Sequence, residues 1–476
     1  MRRAKIVCTL GPSAGNLEQL RELVAAGMDV ARLNLSHGSH EEHMERYLAV
    51  RQAADEALRG VGVLVDLQGP KIRTGRFRNG KETLVAGQTF TITIDEIEGD
   101  AERCSTTFKG LPGDVKPGDM ILIDDGRIAL RATSVTATDV VTEVVEAGVI
   151  SNNKGINLPG VAVSVPALSD KDEDDLRWGL RTGVDMIALS FVRSAADIDD
   201  VHRIMDEEGI RLPVIAKIEK PQAVENLAGI VNAFDGIMVA RGDLGVELPL
   251  EQVPLVQKRA VNLARAAGKP VIVATQMLDS MVTATRPTRA EASDVANAVL
   301  DGADALMLSG ETSVGDHPVV VVQTMARIIE EVENEALAEL PPIVREPASS
   351  TPRAITLAAT EVAAAAGASF IVAFTETGSS ARLVARHRRD TPILAFTPNQ
   401  RTRSQLALVW GVETFIVNPV MHTDDMAHQV EKALLEVGRA TIGQKVVLVA
   451  GVPPGTPGTT NGLRVFLIGT EGGAGI

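Results

Sequence analysis

Eight short apolar runs, most of them closing on or followed by polar residues, are the feature that most constrains how this chain can fold. They are Ile6–Thr9, Val30–Asn34, Val63–Asp66, Met186–Ser190, Val214–Lys217, Gly236–Ala240, Val271–Thr275 and Ala305–Leu308. Amphipathic helical patterns lie between most of them, for example over Glu41–Arg59, Leu255–Ala267 and Ala290–Leu300. Short, continuous apolar runs of this kind read as parallel strands buried on both faces. Eight β-then-α units point to a closed (β/α)8 barrel rather than an open sheet. The site of a barrel forms where its strands end. Residues at or just beyond those ends include Asn34, Ser36, Asp66, Ser190, Lys217, Glu219, Asp243, Thr275 and Glu311. Stability alone does not call for such polar endings.

The spacing breaks once, where more than a hundred residues separate the third run from the fourth. Thr89–Ile94 and Met120–Ile123 read there as short strands, punctuated by Gly and Pro turns over Leu111–Gly118. A small β domain inserted in a barrel loop is expected from about residue 70 to 165, placed to act as a lid. Leu340–Pro347 reads as a linker. Beyond it, Phe370–Thr375, Ile393–Thr397, Thr414–Val417, Val446–Ala450 and Val465–Ile468 alternate with helical patterns. The expected division is a barrel over 1–69 and 166–339, an inserted β domain over 70–165, and a C-terminal α/β domain over 340–476.

A chain of 476 residues is too long for one ordinary domain. Aromatics make up only 3%, so its cores must rest on Val, Ile, Leu, Ala and Met. A formal charge of −15 argues against an extended nucleic-acid surface. Cys8 and Cys104 are the only cysteines, which leaves no disulfide framework and no cysteine zinc site. Met1–Lys5 runs straight into the first strand, with no signal-peptide pattern and no bilayer-length apolar run. A cytoplasmic protein with no membrane partner is the expectation.

Lys217 and Glu219 flank Ile218 at the end of the fifth run. Residues two apart on a strand share a face, so a cation and a carboxylate leave it side by side. The sixth run leads into Arg241-Gly-Asp-Leu-Gly245. If the two strands are neighbours, Glu219 and Asp243 meet in one site beside Lys217. Two carboxylates able to share a hard cation, with a lysine adjacent, suit chemistry on phosphate or on an enolate.

With these pieces placed, the chain closely resembles the pyruvate kinase family. The resemblance rests on Ala31-Arg-Leu-Asn-Leu-Ser-His-Gly38, Asp66-Leu-Gln-Gly-Pro-Lys-Ile-Arg-Thr74 and Asn153-Lys-Gly-Ile-Asn-Leu-Pro-Gly160. It continues through Ala216-Lys-Ile-Glu219, Val239-Ala-Arg-Gly-Asp-Leu-Gly245 and Ala274-Thr-Gln-Met-Leu278. Arg286-Pro-Thr-Arg-Ala-Glu291 and Met307-Leu-Ser-Gly-Glu-Thr312 complete it. Any one motif is weak; all of them in order are specific. The separate N-terminal segment of some members is expected to be missing from this chain.

The resemblance implies phosphoryl transfer from phosphoenolpyruvate to ADP, giving ATP and, after enolate protonation, pyruvate. It gives Lys217 the role of stabilising the transferring charge. It makes Glu219 and Asp243 ligands of Mg2+, with Mn2+ the other candidate, and Arg32 the ligand of the substrate phosphate. The backbone N–H groups of Gly242 and Asp243 would take the substrate carboxylate. Thr275 would help protonation through water. Asn34, His37, Arg73 and Lys154 match positions near the nucleotide. Arg73 and Lys154 lie on either side of the inserted domain, so its closure would bring both onto ADP. Many members bind K+ near Asn34, Ser36, Asp66 and the carbonyl of Leu67. K+-dependent members carry glutamate where this chain has Lys71, so K+ is expected not to be required. In the C-terminal part, Thr375, Thr377, Gly378, Ser379 and Ser380 form a Gly/Ser turn before a helix, a phosphate cradle for a sugar-phosphate or AMP effector. Arg382, Arg386, Arg388 and Arg389 are expected to add positive charge there, with Val452–Thr460 as a second loop. A homotetramer is implied by the resemblance alone. Two other readings stay open: a lyase or aldolase of the phosphoenolpyruvate/pyruvate barrel type, which would not need Arg73, Lys154 and a lid, and a catalytically silent metabolite sensor, which would not keep the barrel site.

Overall fold

The structure is a computed structural model that describes residues 2–161, 163–340, 350–420, 422–456 and 458–470. Of the expected linker Leu340–Pro347, all but Leu340 lies outside the described residues. Eight parallel strands close into a barrel: Lys5–Thr9, Val30–Asn34, Gly62–Asp66, Met186–Leu189, Val214–Ile218, Gly236–Ala240, Val271–Ala274 and Ala305–Leu308. Each pairs with its sequence neighbours, and the first closes on the eighth. The strands match the eight apolar runs to within a residue or so at their ends. Ser190 and Thr275 lie just past their strands, and Lys217 lies inside its own.

Period-two alternation sorts the barrel into an inner and an outer core. Val7, Val30, Leu64, Met186, Ala188, Ile215, Met238 and Ile272 pack together inside. Residues of the opposite parity, such as Ala31, Val63 and Ile237, join the larger core under the helices. Ala407 and Leu408, from the C-terminal part, pack into the inner cluster and cover its base. Continuing the inward parity toward the strand ends leads to Thr9, Arg32, Asp66, Ser190, Lys217 and Glu219. The alternation that builds the inner core therefore also aims the polar residues at one mouth.

A repeated device sits at the opposite end. Asp29, Asp185, Asp235 and Asp304 directly precede the second, fourth, sixth and eighth strands. Each carboxylate accepts a backbone N–H from the strand before it: Ile6 at 2.9 Å, Val63 at 2.7 Å, Val214 at 2.9 Å and Val271 at 3.2 Å. Four strand-opening donors are thus satisfied by side chains rather than water. A short acidic residue before every second strand is its sequence signature.

The insertion after the third strand carries a six-stranded sheet and a two-stranded sheet around its own core, which includes Phe90, Ile92, Ile121 and Leu130. The C-terminal sheet runs in the order Val412–Ile416, Ile393–Thr397, Phe370–Phe374, Lys445–Gly451 and Thr460–Leu467. Only the last pairing is antiparallel. That edge strand begins five residues before the apolar run Val465–Ile468, because the ladder continues through Gly462 opposite Ala450 and Thr460 opposite Gly451, with Asn461 at a register shift between them. Among the described residues no helix is long and apolar enough to cross a membrane.

Asp304 also joins barrel to C-terminal sheet. It pairs with the buried Arg388 at 2.8 Å and accepts the Trp410 N–H at 3.1 Å, while Arg388 lies over the Trp410 ring. Breaking a buried ion pair by removing one partner typically costs about 3–5 kcal/mol. Asp304→Ala is expected to lower urea stability by about that much, read as an early change in tryptophan fluorescence; a midpoint within error of the parent would contradict this role.

Candidate active site

Asp66 ends the third strand with 1% of its surface exposed. Its Oδ2 accepts from Arg32 Nε and Nη2, both at 2.7 Å, and its Oδ1 lies 3.2 Å from Lys217 Nζ. A buried carboxylate therefore stands between two cations. Lys217 Nζ also lies 2.9 Å from Glu219 Oε1 and donates to Ser190 Oγ at 2.7 Å. Ser190 in turn donates to the Leu67 carbonyl at 2.7 Å, and Glu219 Oε2 accepts the Phe191 N–H at 2.7 Å. Arg32 reaches further to Thr9 Oγ1, at 2.9 Å.

The charges follow from this packing. Burial by itself would lower the Lys217 pKa, but Asp66 and Glu219 more than offset it and hold the ammonium above the ordinary lysine range. Burial would raise Asp66, and Lys217 with Arg32 overrides it and keeps the carboxylate ionised. Glu219 moves the other way: burial and the nearby charge of Asp243 push its carboxyl up against the pull of Lys217. Register accounts for the Asp243 contact, since Ile218 pairs with Val239 and Glu219 and Ala240 leave neighbouring strands together. The Asp243 carboxylate makes no hydrogen bond or ion pair among the described residues. Two close carboxylates, one with no protein donor, fit a hard divalent cation held by oxygen ligands.

Thr275 is placed by strain. It has φ +71° and Gln276 has φ +52°, so two successive residues with side chains sit in the left-handed region. Such conformations cost on the order of 1–3 kcal/mol each. The Thr275 hydroxyl accepts the Gly242 N–H at 2.7 Å and donates to the Ala274 carbonyl at 2.6 Å. This modifies the sequence expectation, because the Gly242 N–H is not open to a ligand here but is capped by Thr275.

The remaining expected residues divide. An antiparallel bridge between Arg73 and Gly155 sets Arg73 beside Lys154 in the stem of the insertion, so the two are neighbours without any closure. Both are internally engaged, Arg73 with the Asn153 carbonyl at 3.0 Å and Lys154 with Asp124 at 2.8 Å. His37 is exposed, and its carbonyl accepts from His43 Nε2 at 2.8 Å. Asn34 Oδ1 accepts the Ser36 N–H at 3.2 Å. Of the expected K+ ligands, Asp66, Leu67 and Asn34 already take protein donors. Lys71 lines a cleft between insertion and barrel with Phe191, Arg193, Lys220 and Asp243. Lys220 there pairs with Glu247, which also accepts from Asn157 of the insertion at 3.1 Å.

In the C-terminal part, Thr375, Thr377, Ser379 and Ser380 share a pocket with Gly455 and Thr459 of the second loop. Ser380 and Thr460 hydroxyls meet at 2.6 Å, and Gly378 has the φ of +79° that its turn requires. None of the arginines expected there lines this pocket, although Arg382 lies against Gly378 of the turn. Arg386 donates to the Ala266 carbonyl at 2.9 Å, Arg388 pairs with Asp304, Arg389 pairs with Glu361 at 2.7 Å, and Arg382 lines a separate cavity of about 220 Å3 against the barrel. They follow the Gly/Ser turn on a surface packed largely against the barrel, so proximity in sequence does not make them neighbours of the pocket.

Sequence reading left Ser190 without a role, and it passed over Arg241, Lys220 and Glu247. Ser190 carries a usable signal, inward parity at a strand end. Arg241, Lys220 and Glu247 become visible only through contacts between loops.

A family model described as pyruvate kinase, barrel domain, matches residues 1–322, and one described as pyruvate kinase, alpha/beta domain, matches 353–466. The chain is 56% identical over 470 residues to the pyruvate kinase of Corynebacterium glutamicum, covering 99% of this chain and 98% of that one. It is also 56% identical over 470 residues to the pyruvate kinase of Mycobacterium tuberculosis, covering 99% of each. A solved structure of a pyruvate kinase from Cryptosporidium parvum superposes with a TM-score of 0.91 at 37% identity, covering 98% of this chain and 96% of that one.

Ser190→Ala removes a neutral partner of the Lys217 ammonium. Hydrogen bonds to charged groups are worth about 1.5–3 kcal/mol, so kcat/KM is expected to fall roughly ten- to hundredfold with the unfolding midpoint little changed. An unchanged kcat/KM would show that Asp66 and Glu219 place the ammonium unaided.

Proposed function

This chain belongs to the pyruvate kinase family, and from that premise we propose how its own residues divide the work. The reaction is phosphoryl transfer from phosphoenolpyruvate to ADP, giving pyruvate and ATP. A β-phosphate oxygen of ADP bonds to phosphorus, the phosphorus–enol oxygen bond breaks, and its electron pair stays on the enolate oxygen. C3 then takes a proton, the C2–C3 π pair forming the new C–H bond while the oxygen pair becomes the carbonyl.

Negative charge gathers on the phosphoryl oxygens and the enolate oxygen, so fixed positive charge is what the protein must supply. Lys217 supplies it on the transferring group, and Arg32 binds the substrate phosphate with its planar fork. The single observation that carries this reading is the Lys217 ammonium, held within 3.2 Å of Asp66, Glu219 and Ser190 at the barrel mouth. Three anchors preorganise it, so little is reorganised during reaction. Glu219 and Asp243 would hold the divalent ion, Mg2+ before Mn2+, which when bound would supply Lewis-acid neutralisation of substrate oxygens. Gly242 and Asp243 take the substrate carboxylate once Thr275 releases the Gly242 N–H, and Thr275 then serves protonation through water. Arg73 and Lys154, as a preassembled pair, meet the nucleotide together with Asn34 and His37.

The barrel is the catalytic unit, the insertion its lid and the C-terminal sheet the regulatory unit. The enzyme works without K+, because protein donors already engage Asp66, Leu67 and Asn34. The pocket at Thr375–Ser380 takes a phosphorylated effector through hydroxyl and backbone donors, since the neighbouring arginines do not line it. A cytoplasmic homotetramer completes the reading; neither lyase nor silent sensor is retained.

A coupled assay of pyruvate formation tests the core of it. Lys217→Ala is expected to reduce kcat by about 10²–10³-fold or more. Near-full turnover would refute its role. In K+-free buffer the parent enzyme is expected to keep most of its rate; a drop of roughly a hundredfold would restore the K+ site. Glu219→Gln is expected to raise the Mg2+ half-saturation concentration by about tenfold or more.

A further inference from the structure

We infer that Arg241 is a positioning residue for the protonation half of the reaction, acting through Thr275. The inference rests on the reading of Thr275 given above and goes beyond it. Arg241 opens the short helix after the sixth barrel strand, and its side chain turns toward the end of the seventh. A guanidinium has five N–H donors, and all five have an acceptor here. Nε donates to the Ala274 carbonyl at 3.3 Å. Nη2 donates to the Thr275 carbonyl at 2.9 Å and to Met277 Sδ at 2.8 Å. Nη1 donates to Asp294 Oδ1 at 2.6 Å and to Gln257 Oε1 at 3.4 Å. Asp294 comes from the next barrel helix, so the guanidinium is anchored at its back and grips the turn at its front.

The gripped turn is the strained one. Thr275 at φ +71° and Gln276 at φ +52° need an external hold, because a β-branched residue rarely adopts that conformation. Arg241 grips the carbonyls of the two peptide units on either side of Thr275. The result is that the Thr275 hydroxyl faces the Gly242 N–H at 2.7 Å, one residue along from Arg241 itself. The same short stretch therefore presents the carboxylate-binding N–H and clamps the hydroxyl that caps it. None of these hydrogen bonds reaches Arg32, Asp66, Lys217 or Glu219. Its loss must weigh on proton delivery to C3 rather than on charge at the phosphoryl group. A lysine has three donors in no fixed plane and cannot span these acceptors.

Two rates separate the halves. Phosphoryl transfer is read as ATP formed from phosphoenolpyruvate and ADP; protonation is read as deuterium entering the methyl group of pyruvate in D2O with Mg2+ and ATP, followed by proton NMR. For Arg241→Ala, methyl exchange is expected to fall by about a hundredfold and ATP formation by less than about tenfold, since the enol leaves and ketonises in solution. Added guanidinium is expected to restore exchange in Arg241→Ala and not in Thr275→Val. Asp294→Asn, which keeps an acceptor for Arg241, is expected to fall between and serves if Arg241→Ala does not fold. Equal loss of both rates in Arg241→Ala, or in Asp294→Asn where that variant stands in, marks a merely structural residue and overturns the inference. If Thr275→Val loses exchange while Arg241→Ala keeps it, the inference fails and the reading of Thr275 survives. If Thr275→Val keeps full exchange, that reading fails and the inference falls with it.

Discussion

The buried Asp66 carboxylate, gripped by Arg32 on one side and Lys217 on the other, is the interaction on which the mouth of this barrel depends. A guanidinium and an ammonium this close repel, and their burial leaves little solvent screening between them. Asp66 lets both stay charged and fixes their separation. Its own ionisation is secured by the same two cations. Desolvating such a cluster costs free energy that a packed apolar core would not. Placing it at the strand ends, where a polyanionic substrate brings its own charge, turns that cost into preorganisation.

One periodicity serves both stability and chemistry. The inward residues of the strands make the inner apolar cluster for most of their length and the charged site for their last turn of the pleat. At the other end, aspartates before alternate strands satisfy backbone donors and, at Asp304, tie the C-terminal sheet to the barrel. The chain thus separates roles along each strand: acidic residues at the base for closure, apolar residues in the middle for the core, mixed charge at the mouth.

Much of this was legible in sequence. Short apolar runs between helical patterns gave the eight strands almost to the residue, because buried parallel strands have little freedom in composition. The pairing of Lys217 with Glu219 followed from alternation alone, and the nearness of Asp243 from strand adjacency. What failed was inference from sequence proximity. Arg386, Arg388 and Arg389 sit within a few residues of the Gly/Ser turn yet face the barrel or the Glu361 carboxylate. Arg73 and Lys154, 81 residues apart in the chain, are brought side by side by the β-bridge at the stem of the insertion. Thr275, expected to help protonation, also caps the Gly242 N–H, a contact that sequence alone did not show.

The division has a physical reason. Sequence determined whatever depends on local periodicity: strand number, inward and outward parity, and the identity of the residues that end each strand. Those follow from backbone geometry, which repeats every two residues in a strand and every 3.6 in a helix. Only the tertiary structure decided which partner each polar group keeps. Ser190 meeting Lys217, Arg241 clamping the turn at Thr275, and Glu247 joining Lys220 to Asn157 are contacts between segments far apart in the chain. Hydrogen bonds and ion pairs are satisfied in three dimensions by whichever donor lies within about 3 Å, and nothing in a one-dimensional pattern encodes that distance.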